Sequence, residues 1–448
     1  PPGHPMNRLL TLWITVRDSL WFTPAAMVCA SIVLALALVE SQALVGEGLA
    51  REWPRLFGAG AEGARGMLSA IATSMITVAG VVFSITIVAL SLAASQYSPR
   101  VLRNFMSDRP TQVVLGAFVS VFSYCLIVLR TIRGSEEGDF VPSLAVLGGV
   151  LLALVAVALL IYFIHHVASA IQVSAIVERI GSDTEAAIER LFPADVGEPP
   201  EQADTPVDAA PTRPTGAGRA CLVRAPYSGY LVSIDGDQLV RVAQSEDRFV
   251  EVLHPVGHYF LRGEALCEVL APDQASHDDE GAFDALRGAF ALQPDRTVQQ
   301  DIAHGLQQLV DVALKALSPS VHDPRTAITC IHQLGHLMAL LAARAMPASR
   351  RVVDGRLRLV VPTPAFDHLL GLAFDALSCH IASHVEAYAA VVDMQARIGG
   401  FTRDSARRAA LRRQLDRVAL AIDAAHLHAR DRDALRAAIT EAGRGLAS

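Results

Sequence analysis

One apolar stretch places several small, hydroxyl-bearing residues where they could act together. In TSMITVAGVVFSITIVALSLAASQYSPR, Thr73 to Arg100, the residues Thr77, Ser84 and Ser91 stand seven apart, and Thr73, Gly80 and Ser95 fill the three- and four-residue steps between them. On a helix this spacing returns to nearly one face. That face is small and hydroxylated, while the opposite positions Val78, Val81, Val82, Ile85, Val88 and Leu92 are branched and apolar. Such a face serves one of two ends. It lets helix backbones approach and hydrogen-bond across the contact, or it lines a path shared by several copies, with hydroxyls substituting for water around a passing solute. Either use makes the helix central to assembly. Beyond it come Gln96, Pro99, Arg100 and Arg103. Proline stops or bends the helix, so Gln96, Arg100 and Arg103 are placed at the membrane exit. There the arginines bind lipid phosphates or, as a ring, form a mouth that favours anions.

Other chemistries are mostly excluded. His332 and His336, with His380 and His384, form two pairs at the i,i+4 spacing that lets two imidazoles face one metal. No acid or cysteine completes a signature such as HExxH, so neither a metal nor a cofactor is expected. Lys315 is the only lysine, which removes a phosphate-binding Walker loop and a biotinyl or lipoyl attachment site. Cys29, Cys125, Cys221, Cys267, Cys330 and Cys379 form no CxxC pair and no disulfide-like spacing. A nucleophile elbow, a paired-carboxylate motif and a glycine-rich phosphate loop are all lacking, so the chain is not expected to be an enzyme.

Composition says which elements must position the hydroxyl face. The 448 residues are 52% hydrophobic and 19% charged, with a mean hydropathy of +0.36, too apolar for an ordinary soluble protein. A formal net charge of -7 leaves no basic footprint for nucleic acid. Apolar segments at about 20–39, 67–94, 112–129 and 141–164 each reach the length needed to cross a bilayer. Residues 1–181 are therefore expected to form a transmembrane domain of four spans with a helical extension. Basic residues divide evenly between the two sides: Arg8, Arg17, Arg100, Arg103 and Arg109 against Arg51, Arg55, Arg65, Arg130 and Arg133. The positive-inside rule is silent in that case. Unpaired cysteines in the long tail suit the cytosol, which places both termini there and the spans in a bacterial inner membrane.

After the fourth span a helix is expected to run through IQVSAIVERI and restart at Ser182, with Glu185 at capping-box spacing. It is followed by a proline-rich linker, the two together covering 182–218. Residues 219–272 turn to a period of two, in CLVRAPYSGYLVSIDGDQLVRVAQ and RFVEVLHPVGHYFLRGEALCEVL, and predict a small β module. Its strand lengths resemble those of the β-sandwich of biotinyl, lipoyl and membrane-fusion-type adaptor domains. Residues 273–448 predict a helical domain, interrupted by a β-hairpin near 352–361 that turns on Asp354 and Gly355. Within it Asp323 is placed to cap a helix and Pro324 to occupy its first turn.

Three segments occur together: SITIVALSLAASQYSPRVLRNFM, GYLVSID and DIAHGLQQLVDVALKALSPSVHDPRTA. Jointly they resemble a bacterial family of predicted membrane proteins with a domain of unknown function. The resemblance covers nearly the whole chain and implies an architecture without an established activity. Members typically carry asparagine before the Asp-Pro pair, where this chain has His322. The fold class that follows is mostly α: a four-helix transmembrane domain, then a small β-sandwich-like module and a helical cytosolic domain. The function expected is that of a homo-oligomeric channel or pore in the lipid bilayer, lined by the second span and gated or assembled by the soluble part. The alternative is a non-conducting scaffold or sensor that acts through a cytosolic protein partner.

Overall fold

The computed structural model describes residues 21–45, 60–96, 109–133, 140–170, 172–192, 218–245, 247–272, 280–381 and 384–446. The chain divides into two compact units, Pro1–Gln172 and Val173–Ser448.

Among its described residues the first unit has four helices, α1 (Phe22–Val45), α2 (Ala61–Gln96), α3 (Arg109–Thr131) and α4 (Ser143–Ala170). α3 is the centre of this bundle and packs against the other three. Val114, Phe118, Val121, Tyr124, Cys125 and Val128 of α3 are all buried. The Tyr124 hydroxyl donates to the carbonyl of Ala145, 2.7 Å away, at the start of α4. Gly148 makes room for the same ring, because a Cβ there would lie 2.6 Å from the Tyr124 oxygen. Small residues that let membrane helices approach are the usual device where lipid offers no hydrophobic drive. The outward positions are large and apolar, among them Val33, Val81, Phe83, Val88, Leu151, Leu154 and Ile161, so the bundle presents lipid-compatible surface on its outside. Among the described residues, 5 helices are long and apolar enough to cross a membrane, and 4 of these are α1 to α4. The other is α9, Pro324–Ala343, whose apolar face is used in packing within the second unit.

The second unit begins with α5 (Val173–Leu191). The restart expected at Ser182 does not occur, and the helix runs straight through it. Ser182 bonds back to the carbonyl of Arg179 at 3.0 Å, as a serine inside a helix does. α5 packs on α8 (Ile302–Leu317) and α9, so it belongs to the helical layer and not to the first unit. Its buried face is Ile176, Val177, Ile180, Thr184, Ala187 and Ile188. The contact with α8 is tight: a Cβ on Gly305 would lie 2.1 Å from the Thr184 hydroxyl. α10 (Phe366–His380), α11 (Val385–Gly399), α12 (Ser405–Ala424) and α13 (Ala429–Gly445) complete the layer.

Between α5 and α8 lie β1 (Gly218–Arg224), β2 (Gly229–Ile234), α6 (Gly236–Ser245), β3 (Phe249–Val252), β4 (Tyr259–Phe260), β5 (Ala265–Pro272), α7 (Glu280–Gly288) and β6 (Phe290–Gln293). The segment DQLVRVAQ, expected as strand, is the helix α6. Asp235 accepts from the backbone N–H of Gln238 at 2.9 Å, and the two buried residues Leu239 and Ala243 stand four apart. A short run of alternating apolarity fits either period, and the cap decides. The hairpin β7 (Arg350–Val353) and β8 (Arg356–Val360) is also part of the β structure. β8 pairs in parallel with β3, giving a five-stranded sheet in the order β1-β5-β3-β8-β7 beside a three-stranded sheet β4-β2-β6. The β structure therefore draws on residues well beyond 272. Both turn residues of the hairpin have positive φ, 51° at Asp354 and 71° at Gly355, as a tight primed turn requires.

Candidate functional site

α2 has two faces. Ala64, Leu68, Ala72, Met75, Ala79 and Val82 are buried in the core of the first unit. Thr73, Thr77, Gly80, Ser84 and Ser91 are exposed, facing away from it; so are Val81, Ile85 and Val88, which the sequence set opposite the hydroxyls, because only a narrow stripe of the helix is buried. The hydroxyls lean on their own helix. Thr77 donates to the carbonyl of Thr73 at 2.8 Å and Ser84 to that of Gly80 at 3.0 Å. Such back-bonding satisfies the donor inside the helix and leaves an oxygen lone pair facing outward. A Cβ on Gly80 would meet nothing within 4 Å. Among the described residues, none of this chain's spans therefore covers the face at Gly80. The helix backbone continues through Ser95 and Gln96, whose side chains, like Arg100 and Arg103, lie outside the described residues.

Asp323 is the N-cap of α9, with Pro324 in its first turn. One carboxylate oxygen accepts from the backbone N–H of Thr326 at 3.2 Å and the other from the Thr326 hydroxyl at 2.6 Å. Those bonds, the hydroxyl first, hold the Asp323 carboxyl below the usual aspartate range. His322, just before it, has φ of 51°. Asparagine and histidine are both enriched in this left-handed region, so the backbone shape here suits the histidine this chain carries.

The histidine pairs singled out by spacing separate. His380 is the last residue of α10 and His384 the N-cap of α11, so they do not share a helix face; His384 instead lies against His322, with ring centroids 5.1 Å apart. His332 and His336 do share α9 and line a cleft of about 360 Å³ with Met394, Arg397 and Phe401. The Nε2 of His336 is 3.4 Å from a carboxylate oxygen of Glu185. The guanidinium in this cleft works against a bound cation.

Two other histidines do converge. His254 and His258 flank the passage from β3 to β4, and Glu264 stands just before β5. The imidazoles stack with centroids 3.8 Å apart and planes 4° from parallel. Both rings meet the buried Phe260 edge-on. Glu264 places one oxygen 3.6 Å from His258 Nε2 and accepts with the other from the backbone N–H of Leu261 at 2.8 Å. That backbone bond is the main reason its carboxyl is held below the usual range. Burial, then the neighbouring His258, lowers His254. The sequence signal is HPVGH with a glutamate shortly after it; the segment reads as strand, where i,i+4 spacing carries no expectation.

A family profile described as a predicted membrane protein (DUF2254) matches residues 17–397. Uncharacterized proteins of Mycobacterium bovis and Mycobacterium tuberculosis are each 34% identical over 370 residues, covering 81% of this chain and 68% of theirs. No solved structure matches. With five helices long and apolar enough to cross a membrane among the described residues and a profile match over most of its length, the chain belongs to the predicted membrane protein family DUF2254.

Proposed function

We propose that the protein is a homo-oligomeric membrane channel in which α2 of each copy turns its hydroxylated face toward a shared path. The second unit then lies in the cytosol, as its unpaired cysteines suit, and gates or assembles the pore. The observation that carries the reading is the division of α2: its alanine-rich face is buried within the bundle, while Thr73, Thr77, Gly80 and Ser84 face outward. A seam within one copy would have buried them. Outward oxygen lone pairs on a membrane helix suit a wet path between copies.

The back-bonding of Thr77 and Ser84 favours a second reading, a non-conducting scaffold or sensor. A hydroxyl already satisfied by its own helix tolerates lipid or a dry contact between copies. Flux separates the two. In proteoliposomes holding the purified chain, ion flux should be measurable and Ser84→Leu should cut it while leaving the oligomer intact. An absence of flux with any ion, from a chain that assembles normally, would favour the scaffold.

A further inference from the structure

We propose that His254, His258 and Glu264 form a three-donor site for a divalent transition-metal ion of the zinc class. This inference does not depend on conduction. Two imidazoles and one carboxylate are the donor set that zinc accepts when a coordination position is left for water. One ligand atom from each residue lies within 4.8 Å of the others. Bonds of about 2 Å bring such donors to about 3.3 Å from one another, and the His258 to Glu264 separation of 3.6 Å is already close to that.

The loops around the site are held in place before any ion arrives. Gly257, at φ of 93°, sits against Asp301, where a Cβ would lie 2.4 Å from a carboxylate oxygen. Asp301 is itself 5% exposed and ion-paired to Arg296 at 2.7 Å. The N–H of Gly257 donates to the carbonyl of Leu231 at 2.7 Å, and the N–H of Leu231 to the carbonyl of His258 at 2.9 Å. Phe260 floors both rings, and the Leu261 N–H fixes the far oxygen of Glu264. A metal ligand oriented by a hydrogen bond on its other atom is what such sites require.

The competing account is a surface ion pair between His258 and Glu264. It leaves two features unexplained. An ion pair needs one imidazole, and here a second lies beside it at 3.8 Å; because a ring nitrogen's lone pair lies in the ring plane, one ring turns out of the parallel stack when both bind the ion. The His258 Nε2 is buried and makes no hydrogen bond, because 3.6 Å is beyond hydrogen-bond reach. The site also lies where the chain leaves the five-stranded sheet for the three-stranded one and returns, β3 to β4 to β5. An ion there would tie the two crossovers together and raise stability by mass action.

The test uses the full chain in detergent, stripped of metal, with Zn²⁺ titrated against a chromogenic chelator. Saturable binding of one ion per chain and a raised melting temperature are expected. His258→Gln and Glu264→Gln should each weaken binding by roughly 10- to 100-fold or more. The amide oxygen that Glu264→Gln introduces can still accept the Leu261 N–H, which keeps the loop in place. His332→Gln combined with His336→Gln should leave affinity unchanged. In the unaltered chain, which cannot be confounded by misfolding, Zn²⁺ should protect His254 and His258 from diethyl pyrocarbonate as read by mass spectrometry. Equal modification of both histidines with and without Zn²⁺, or unchanged affinity in His258→Gln and Glu264→Gln, would overturn the site.

Discussion

The hydroxyl of Ser84 donates to the carbonyl of Gly80, 3.0 Å away and one turn back along α2, and both residues are exposed on the outside of the four-helix unit. The bond makes a polar residue tolerable in mid-membrane while leaving its oxygen available to a neighbour. Among the described residues, no side chain of another span bonds to the Ser84 hydroxyl.

The two faces of α2 should therefore respond differently to added bulk. Ala79 is 4% exposed and belongs to the core of the first unit. Ala79→Leu should destabilise that unit by about 1 to 3 kcal/mol, the usual cost of overpacking. Ser84→Leu should leave its melting in detergent within about 0.5 kcal/mol of the parent, as an outward substitution does. Equal losses would mean that the outward face is packed after all.

A soluble fragment should need α5. Its residues Ile176, Ile180 and Ile188 are buried against the helical layer, so a fragment of residues 173–448 should run as a discrete species in size-exclusion chromatography. One that starts at Arg219 uncovers apolar surface on α8 and α9 and should aggregate or melt at lower temperature. Identical behaviour would show that α5 adds nothing to the fold.

Asp323→Ala should cost about 1 kcal/mol, the typical loss for a side-chain cap. Because hydrogen bonds from Thr326 depress the folded carboxyl below its usual value, the stabilisation is fully present above the unfolded value, about 3.9, and is lost as pH falls through the folded one. The gap in urea stability between the parent and Asp323→Ala should then narrow below about pH 4. A gap unchanged down to the acid transition would show that the charge of Asp323 plays no part.

The membrane half was the more legible. Four long apolar runs leave little choice but bilayer-length helices, although the second, read at 67–94, spans Ala61–Val88 by length and hydropathy in the structure. The soluble half was harder where local signals were ambiguous. DQLVRVAQ carries both a period of two and an i,i+4 apolar pair, and only the Asp235 cap selects the helix. The parallel pairing of Val250 with Leu359 joins strands more than a hundred residues apart, which no local pattern announces. At the candidate sites, spacing alone was a poor guide to histidines. His380 and His384 have the metal-like interval but sit on either side of a helix break, whereas His254 and His258 meet through a turn at Gly257. Which face of α2 was buried could not be read either, because alanine and serine are equally small. The structure buries the alanines.

Reactivity at Ser84 tests the channel most directly. In a background with all six cysteines replaced, Ser84→Cys in the assembled chain should react with a small, membrane-impermeant charged thiol reagent, because modification requires both thiolate and water. The rate should fall when a permeating ion is present at high concentration. A cysteine at 84 that stays unlabelled, while Ser84→Leu forces the copies apart, would contradict the channel and leave the hydroxyls as a dry contact between helices.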